Sequence, residues 1–304
     1  MPDMNAAEKM TGILADYIKY TEIHLPDDIL SALRELRSEE DNPRAIQIYD
    51  VMFKNLELAE NMGRPICQDT GFMQFLVQCG SEFPLLGSME GIVTEALVRA
   101  TEDTPLRPNA VETFSEENTG NNLGCAAPTI WWDIVSGSDE CEIYTYPAGG
   151  GSSMPGMATV LTPGEGYEAV EKFVINRILE KGANACPPLL VGVGIGNSIE
   201  TAAMNAKQAL LKPVGYAGGM DGASEMAVRL ENSLNKSGIG PQGFGGKKSV
   251  YGVNIVNTAR HPACMGVAVA TGCWVHRRGI IHFDSDLNYR SETHAGFCRT
   301  EKDA

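Results

Sequence analysis

Residues 184–211 read NACPPLLVGVGIGNSIETAAMNAKQALL. The stretch passes from a proline-stiffened connection, through an apolar run at 189–195, into helical texture at 198–211. The apolar run is short, aliphatic and bounded by proline on one side and Gly196-Asn197 on the other, which predicts a buried strand. Asn197 with Glu200 three residues later is a capping arrangement for the helix that follows. A buried strand leading straight into a helix points to an α/β chain. The same texture recurs outward. Strands are predicted at 72–78, 129–135, 141–147, 249–256 and 265–271, and helices at 88–101, 166–181 and 223–236. The first sixty residues read as helix. Ile29, Leu30, Leu33 and Leu36 recur at helical spacing, and Asn42-Pro43 breaks the pattern. Pro43 opens the next helix, Ile48, Met52, Leu56 and Ala59 mark its face, and Gly63 stops it. The expectation is an α/β fold, a helical N-terminal part followed by a mixed α/β region, in a single domain over residues 1–304.

The chain of 304 residues is 43% hydrophobic and 21% charged, the composition of a globular protein with a sizeable core. Its net charge of −15 argues against generic binding to a nucleic-acid backbone. No run approaches the length of a membrane span, and MPDMNAAEKM at the N-terminus lacks the layout of a signal peptide. A cytoplasmic location is expected. Eight cysteines without a CxxC pair, in a chain of this length, disfavour both a disulfide framework and a zinc ribbon.

Chemistry concentrates in loops. Pro65-Ile66-Cys67-Gln68-Asp69-Thr70-Gly71 places a thiol, an amide and a carboxylate in succession. Asn184-Ala185-Cys186-Pro187-Pro188 puts a second thiol on a backbone that two prolines stiffen. Thr271-Gly272-Cys273-Trp274 puts a third just before His276, Arg277 and Arg278, whose charge favours a thiolate. Taken singly, each is read as a turn with an incidental cysteine, and the arginines as surface residues. Together the three loops suit an iron–sulfur cluster, since thiolates are its soft ligands. Three ligands on four irons leave one iron open as a Lewis acid, which is dehydratase chemistry. The run Gly149-Gly150-Gly151-Ser152-Ser153 is either an anion-binding nest or a flexible turn. Gly192-Val193-Gly194-Ile195-Gly196-Asn197 fails the dinucleotide fingerprint, because Asn197 stands where the last glycine belongs. Arg107 and the pair Arg260-His261 are candidate carboxylate partners.

The segments PICQDTG, NTGNN (118–122), PAGGGSS, NACPPLLVGVGIG, GIGPQGFGG (238–246) and TGCW resemble the α-type iron–sulfur hydro-lyases. That family comprises tartrate dehydratase α subunits and the N-terminal region of class I fumarases. The resemblance covers nearly the whole chain, and ARHPACMGVAVATGCWVHRRG (259–279) is closer to the tartrate branch. It implies a 4Fe–4S cluster held by Cys67, Cys186 and Cys273, with one iron lacking a protein ligand. It also implies substrate contacts from Gln68, Asp69, Arg107, the glycine loop near Gly150, and His261. Cys79, Cys125, Cys141, Cys264 and Cys298 match no ligand motif. The family's active site is completed by a β subunit or C-terminal domain, and nothing after Cys273 has room for one. A β partner in an α2β2 assembly is therefore expected.

The leading expectation is dehydration of a small hydroxy-dicarboxylate, tartrate to oxaloacetate, with Asp69 moving the proton and Gln68 assisting. The nearest rival is fumarate hydration to malate. A non-catalytic iron–sulfur sensor would leave Gln68, Asp69 and Arg107 without a task.

Overall fold

The computed structural model describes residues 4–297; Cys298 lies outside them. Three helices open the chain: α1 (Met4–Ile23), α2 (Asp27–Glu39) and α3 (Pro43–Met62). Then follow β1 (Phe72–Gly80), α4 (Met89–Asp103), β2 (Thr129–Val135), β3 (Cys141–Ala148), the one-turn α5 (Gly150–Ser153) and β4 (Met157–Leu161). The remainder runs α6 (Gly166–Lys181), β5 (Leu189–Gly196), α7 (Ile199–Leu211), α8 (Asp221–Asn235), β6 (Val250–Asn257), β7 (Met265–Gly272), β8 (Gly279–Phe283) and β9 (Tyr289–Ser291). The helical opening and the mixed α/β remainder agree with the sequence reading. The strands β4, β8 and β9 have no counterpart in it.

These elements form two compact units of interleaved segments. Of the described residues, the first takes 4–27, Asn55–Gly149 and 277–297; the second takes Asp28–Lys54 and Gly150–His276.

In the first unit, a five-stranded sheet has the order β2-β1-β3-β8-β9, with β1 and β2 parallel and the other pairs antiparallel. Alternate residues of a strand share a face. Met73, Phe75, Val77 and Cys79 of β1 accordingly enter one core with Ile143, Ile281 and Phe283. The helical stripes Met10-Leu14-Tyr17-Ile18 of α1 and Met89-Val93-Leu97-Ala100 of α4 cover that face. Cys79 and Cys141 lie opposite one another across β1 and β3 within this core, which agrees with reading them as structural.

In the second unit, a four-stranded sheet has the order β4-β7-β5-β6, with only β5 and β6 parallel. Val191 and Val193 of β5 pack with Val174 and Ile178 of α6 and Leu230 and Leu234 of α8. The glycines of the 192–196 run point the other way. A Cβ on Gly192 would meet the Ala206 carbonyl of α7 at 2.4 Å, and one on Gly194 the Ala202 carbonyl at 2.0 Å. The run is a seat for α7 on the sheet. The cap of α7 is Ser198 rather than Asn197, since the Ser198 hydroxyl accepts the Thr201 N–H. Ile29, Leu33 and Leu36 of α2 are buried as their spacing predicts, with Leu30 half-buried. On α3 the buried face is Ala45-Tyr49-Met52-Ala59, so of the expected residues Met52 and Ala59 are buried while Ile48 and Leu56 are only half-buried.

Candidate functional site

In the first unit, the segment 65–71 leads into β1 and is held from several sides. The Glu22 carbonyl accepts the Ile66 N–H (2.9 Å), and Asn55 Nδ2 donates to the Ile66 carbonyl (2.8 Å). Asp69 Oδ1 accepts the Gly71 N–H (3.0 Å), closing an Asx turn. Gly71 has φ +76°, and a Cβ there would lie 2.5 Å from the Pro147 carbonyl carbon, so only glycine fits the turn. Within this frame Cys67 is half-buried and Gln68 is exposed.

The loop carrying Arg107 is bound to the same frame. The Thr70 hydroxyl accepts the Arg107 N–H (3.1 Å) and donates to the Arg107 carbonyl (3.3 Å). Asn109 Nδ2 donates to the Gly71 carbonyl (2.9 Å). Buried Asn122 accepts the Asn109 N–H (2.6 Å) and donates to Thr101 Oγ1 (3.0 Å) and the Arg107 carbonyl (3.3 Å). Asn118 Nδ2 donates to the Pro108 carbonyl (2.8 Å). The NTGNN motif thus fixes the backbone of Arg107. Its guanidinium is exposed and, among the described residues, has no ion-pair partner. The structure therefore brings Cys67, Gln68, Asp69 and Arg107 onto one pair of mutually bonded loops.

The second unit assembles the other cysteines. Cys186 ends a 3₁₀ turn at Gly182–Ala185, in left-handed conformation (φ 54°, ψ 63°), with an exposed side chain. Its carbonyl accepts the Trp274 N–H (3.1 Å), which joins its loop to that of Cys273, and Tyr251 Oη donates to the Cys273 carbonyl (3.2 Å). Gln242 gives both its backbone N–H (2.8 Å) and its side-chain amide (3.2 Å) to the Pro187 carbonyl. The GIGPQGFGG segment is therefore a brace for the Cys186 loop. The Gly150 segment is a short helix, α5, rather than a flexible turn. The Ser152 carbonyl accepts the Thr271 hydroxyl (2.5 Å), and a Cβ on Gly151 would stand 3.7 Å from the Asn184 carbonyl. Gly150, Cys186 and Cys273 thus gather at one end of this unit.

His261 does not join them. It lies in the exposed loop before β7, whereas Cys273 follows the end of that strand. Eight strand residues at about 3.3 Å each separate the two by roughly 25 Å. The Cys264 thiol of the same loop donates to the Asn197 carbonyl at the far end of β5 (3.4 Å).

Electrostatics correct one expectation. His276, Arg277 and Arg278 are buried at 2%, 3% and 1% exposure, not surface residues. Arg277 ion-pairs with Glu22, itself 0% exposed, and its Nη2 donates to the Asp69 carbonyl (2.7 Å). Burial outweighs Arg277 and pushes Glu22 up to about 7. His276 Nε2 contacts the Leu210 carbonyl (2.8 Å). The sequence reading missed Glu22, although a signal was present. It falls four residues after Ile18 and eight after Leu14 on the buried stripe of α1, where a carboxylate needs a buried cation. Asn122 and Gln242 lie in the NTGNN and GIGPQGFGG motifs, but nothing in those motifs spelled out their bracing role, and Tyr251 carried no mark.

The thiols fit an iron–sulfur group. None of the seven described cysteines is in a disulfide, and Cys186 and Cys273 sit on hydrogen-bonded loops. Pro187 and Pro188 carry no N–H to compete for the Cys186 sulfur. Among the described residues, no three His, Cys, Asp or Glu side chains surround a point suited to one metal ion. A cubane takes each thiolate on a different iron, so its ligands do not converge as those of a single ion do.

The fumarate hydratase (Fumerase) family model matches residues 11–282. The L(+)-tartrate dehydratase subunit alpha of Escherichia coli (strain K12) is 47% identical over 289 residues, 95% of each chain. The same-named chain of Shigella sonnei (strain Ss046) is equally similar. A putative L(+)-tartrate dehydratase subunit alpha of Methanocaldococcus jannaschii is 31% identical over 284 residues, 92% of this chain and 100% of that one.

Proposed function

The chain belongs to the fumarate hydratase (Fumerase) family, and on that premise we propose that it is the iron–sulfur α subunit of a hydro-lyase that dehydrates tartrate to oxaloacetate. The observation that carries this reading is the 47% identity over 95% of both chains to relatives named as tartrate dehydratase α subunits. The whole of residues 1–304 acts as one catalytic domain in this proposal. It works in the cytoplasm beside a β subunit, in an α2β2 assembly, without nucleic-acid or membrane partners. Among the described residues, no helix is long and apolar enough to cross a membrane.

Cys67, Cys186 and Cys273 would hold a 4Fe–4S cluster. When bound, it supplies a Lewis acid for the departing hydroxyl. Arg107, with its backbone pinned and its guanidinium exposed, pairs with a substrate carboxylate. Gln68 and the backbone near Gly150 bond the remaining oxygens. Asp69 takes the proton from the carbon bearing the second hydroxyl. Loss of that proton and of the hydroxyl on the neighbouring carbon, as water, leaves an enol that ketonises to oxaloacetate. Within one chain, the His261 loop lies at the other end of β7 from Cys273, so His261 is given no part in this set.

The test is anaerobic reconstitution with iron and sulfide, with and without a co-expressed β partner, then assay on tartrate stereoisomers and on malate. Tartrate turnover above malate turnover is expected. Faster malate–fumarate interconversion would transfer the chain to fumarase. Replacing Cys67, Cys186 or Cys273 by serine should lower iron content, whereas Cys79→Ser should leave it unchanged. Unchanged iron in all three ligand variants would remove the cluster assignment.

A further inference from the structure

We propose that Glu22 and Arg277 form a buried clamp that positions the Cys67–Gln68–Asp69 segment for the reaction. The proposal rests on the functional reading above for what the segment does, and on the first unit's geometry for how it is held. The clamp grips both ends of the segment. The Glu22 carbonyl takes the Ile66 N–H (2.9 Å), just before Cys67. The Glu22 carboxylate binds Arg277 Nη1, and Arg277 Nη2 binds the Asp69 carbonyl (2.7 Å), just after Gln68. Two successive side chains, Cys67 and Gln68, are thereby bracketed by backbone contacts that leave their own functional atoms uncommitted.

An ion pair at 0% and 3% exposure is a poor way to gain stability. The desolvation of both charges offsets most of their attraction, and apolar replacements of similar volume are often neutral or stabilising. Such a pair does supply direction. A guanidinium presents its donors in a rigid planar fork, so one Arg277 can bond the Glu22 carboxylate and the Asp69 carbonyl at fixed angles. Glu22 Oε1 has no hydrogen-bond partner among the described residues, so the carboxylate's bonding runs through the oxygen that Arg277 holds. Asp69 is bonded on its other side by Gly71 through its own carboxylate. The clamp therefore sets the peptide of Asp69, and the Asx turn sets its side chain. Arg277 and Glu22 touch no substrate in this account; they act through the loop.

The experiment uses the full chain with Arg277→Met, Arg277→Lys and Glu22→Gln. In the iron-free protein, iodoacetamide alkylation of Cys67 is followed by peptide mass spectrometry, with exposed Cys125 as internal control. Arg277→Met should speed Cys67 alkylation by roughly tenfold through local opening, with Cys125 unchanged. In the reconstituted enzyme with its β partner, kcat should fall by roughly tenfold to a hundredfold with KM nearly constant, because Arg107 still binds while Asp69 is misplaced. Arg277→Lys should restore little, since an ammonium lacks the fork. If Arg277→Met does not fold, Glu22→Gln and Arg277→Lys carry the same readouts. Wild-type alkylation of Cys67 in the folded variants overturns the clamp, as does equal acceleration at Cys125, which would mean general loosening. Faster Cys67 alkylation in a protein without tartrate turnover would keep the clamp and discard the functional reading.

Discussion

Buried histidine and buried glutamate respond to acid in opposite senses, and the first unit contains both in His294 and Glu22. His294 is 2% exposed, with Nδ1 against Thr293 Oγ1 (2.9 Å) and Nε2 against the His24 carbonyl (3.2 Å). Burial pulls it from 6.5 down to about 4. The unfolded chain therefore takes up a proton before the folded one does. The resulting stability is complete above pH 6.5 and is lost as pH falls toward 4, a loss of about 3 kcal/mol if the whole gap counts. Glu22 runs the other way. Its folded value of about 7 lies above the ordinary 4.5, so its contribution is complete below 4.5 and is lost as pH rises through 7. His294→Gln removes the first dependence and keeps the second. Urea unfolding at pH 7 and pH 4.5 should show the variant losing less stability on acidification than the wild type, by up to about 3 kcal/mol. Parallel profiles would mean that the imidazole is already protonated in its site.

Elements were legible where their residues obeyed one period, and obscure where a partner decided their role. The core strands β1, β5, β6 and β7 and the helices α4, α6, α7 and α8 appear where apolar spacing places them, with ends shifted by a residue or two. β4 and β9 are short, with little buried surface, and β8 follows directly on a run of buried cations, so none had a clean alternating pattern. Asn197 and Ser198 are both competent caps, and only the geometry of the first turn selects Ser198. At the candidate site, Cys67, Gln68, Asp69 and Arg107 were visible because unusual side chains cluster in short loops. The supporting roles of Asn122 and Glu22 here, and of Gln242 at the Cys186 loop, were not assigned from sequence, because each works by bonding backbone distant in sequence. The motifs holding Asn122 and Gln242 were marked only by resemblance, and Glu22 only by its place on the buried stripe of α1. The glycine run of β5 gives the sharpest test at this scale. Gly194→Ala drives a Cβ into the backbone of α7 and should cost roughly 2–3 kcal/mol as an overpacked contact. Gly91, exposed on α4 with open space around its Cβ position, should respond oppositely. Gly91→Ala should stabilise by about 0.5–1 kcal/mol, because the unfolded chain loses freedom that the helix never used. Chemical denaturation of both variants measures the contrast. Equal signs would refute the packing role of Gly194.

For the molecule as a whole, the decisive quantity is how much of the reaction one chain can perform. The net charge of −15 opposes the approach of a dicarboxylate, so attraction must come from local cations. In the first unit a group suited to this is Arg107, whose side chain is exposed, on the loop bonded to that of exposed Gln68. A guanidinium facing water attracts a carboxylate only weakly, since bulk solvent reduces a contact pair to about 1 kcal/mol. The same contact becomes a substantial catalytic term once water is excluded and its donors are held in place. A β partner covering these loops would do both. The reconstituted α chain alone should therefore take up iron to the same level as the αβ pair, yet turn over tartrate at least about a hundredfold more slowly, the typical loss when preorganised electrostatic contacts are missing. Adding purified β chain should restore turnover without changing iron content, and Arg107→Lys should lower the restored rate because a single ammonium cannot pair bidentately. Full dehydratase activity from the isolated chain at matched iron content would overturn both the two-subunit reading and the division of roles assigned to Arg107 and Asp69.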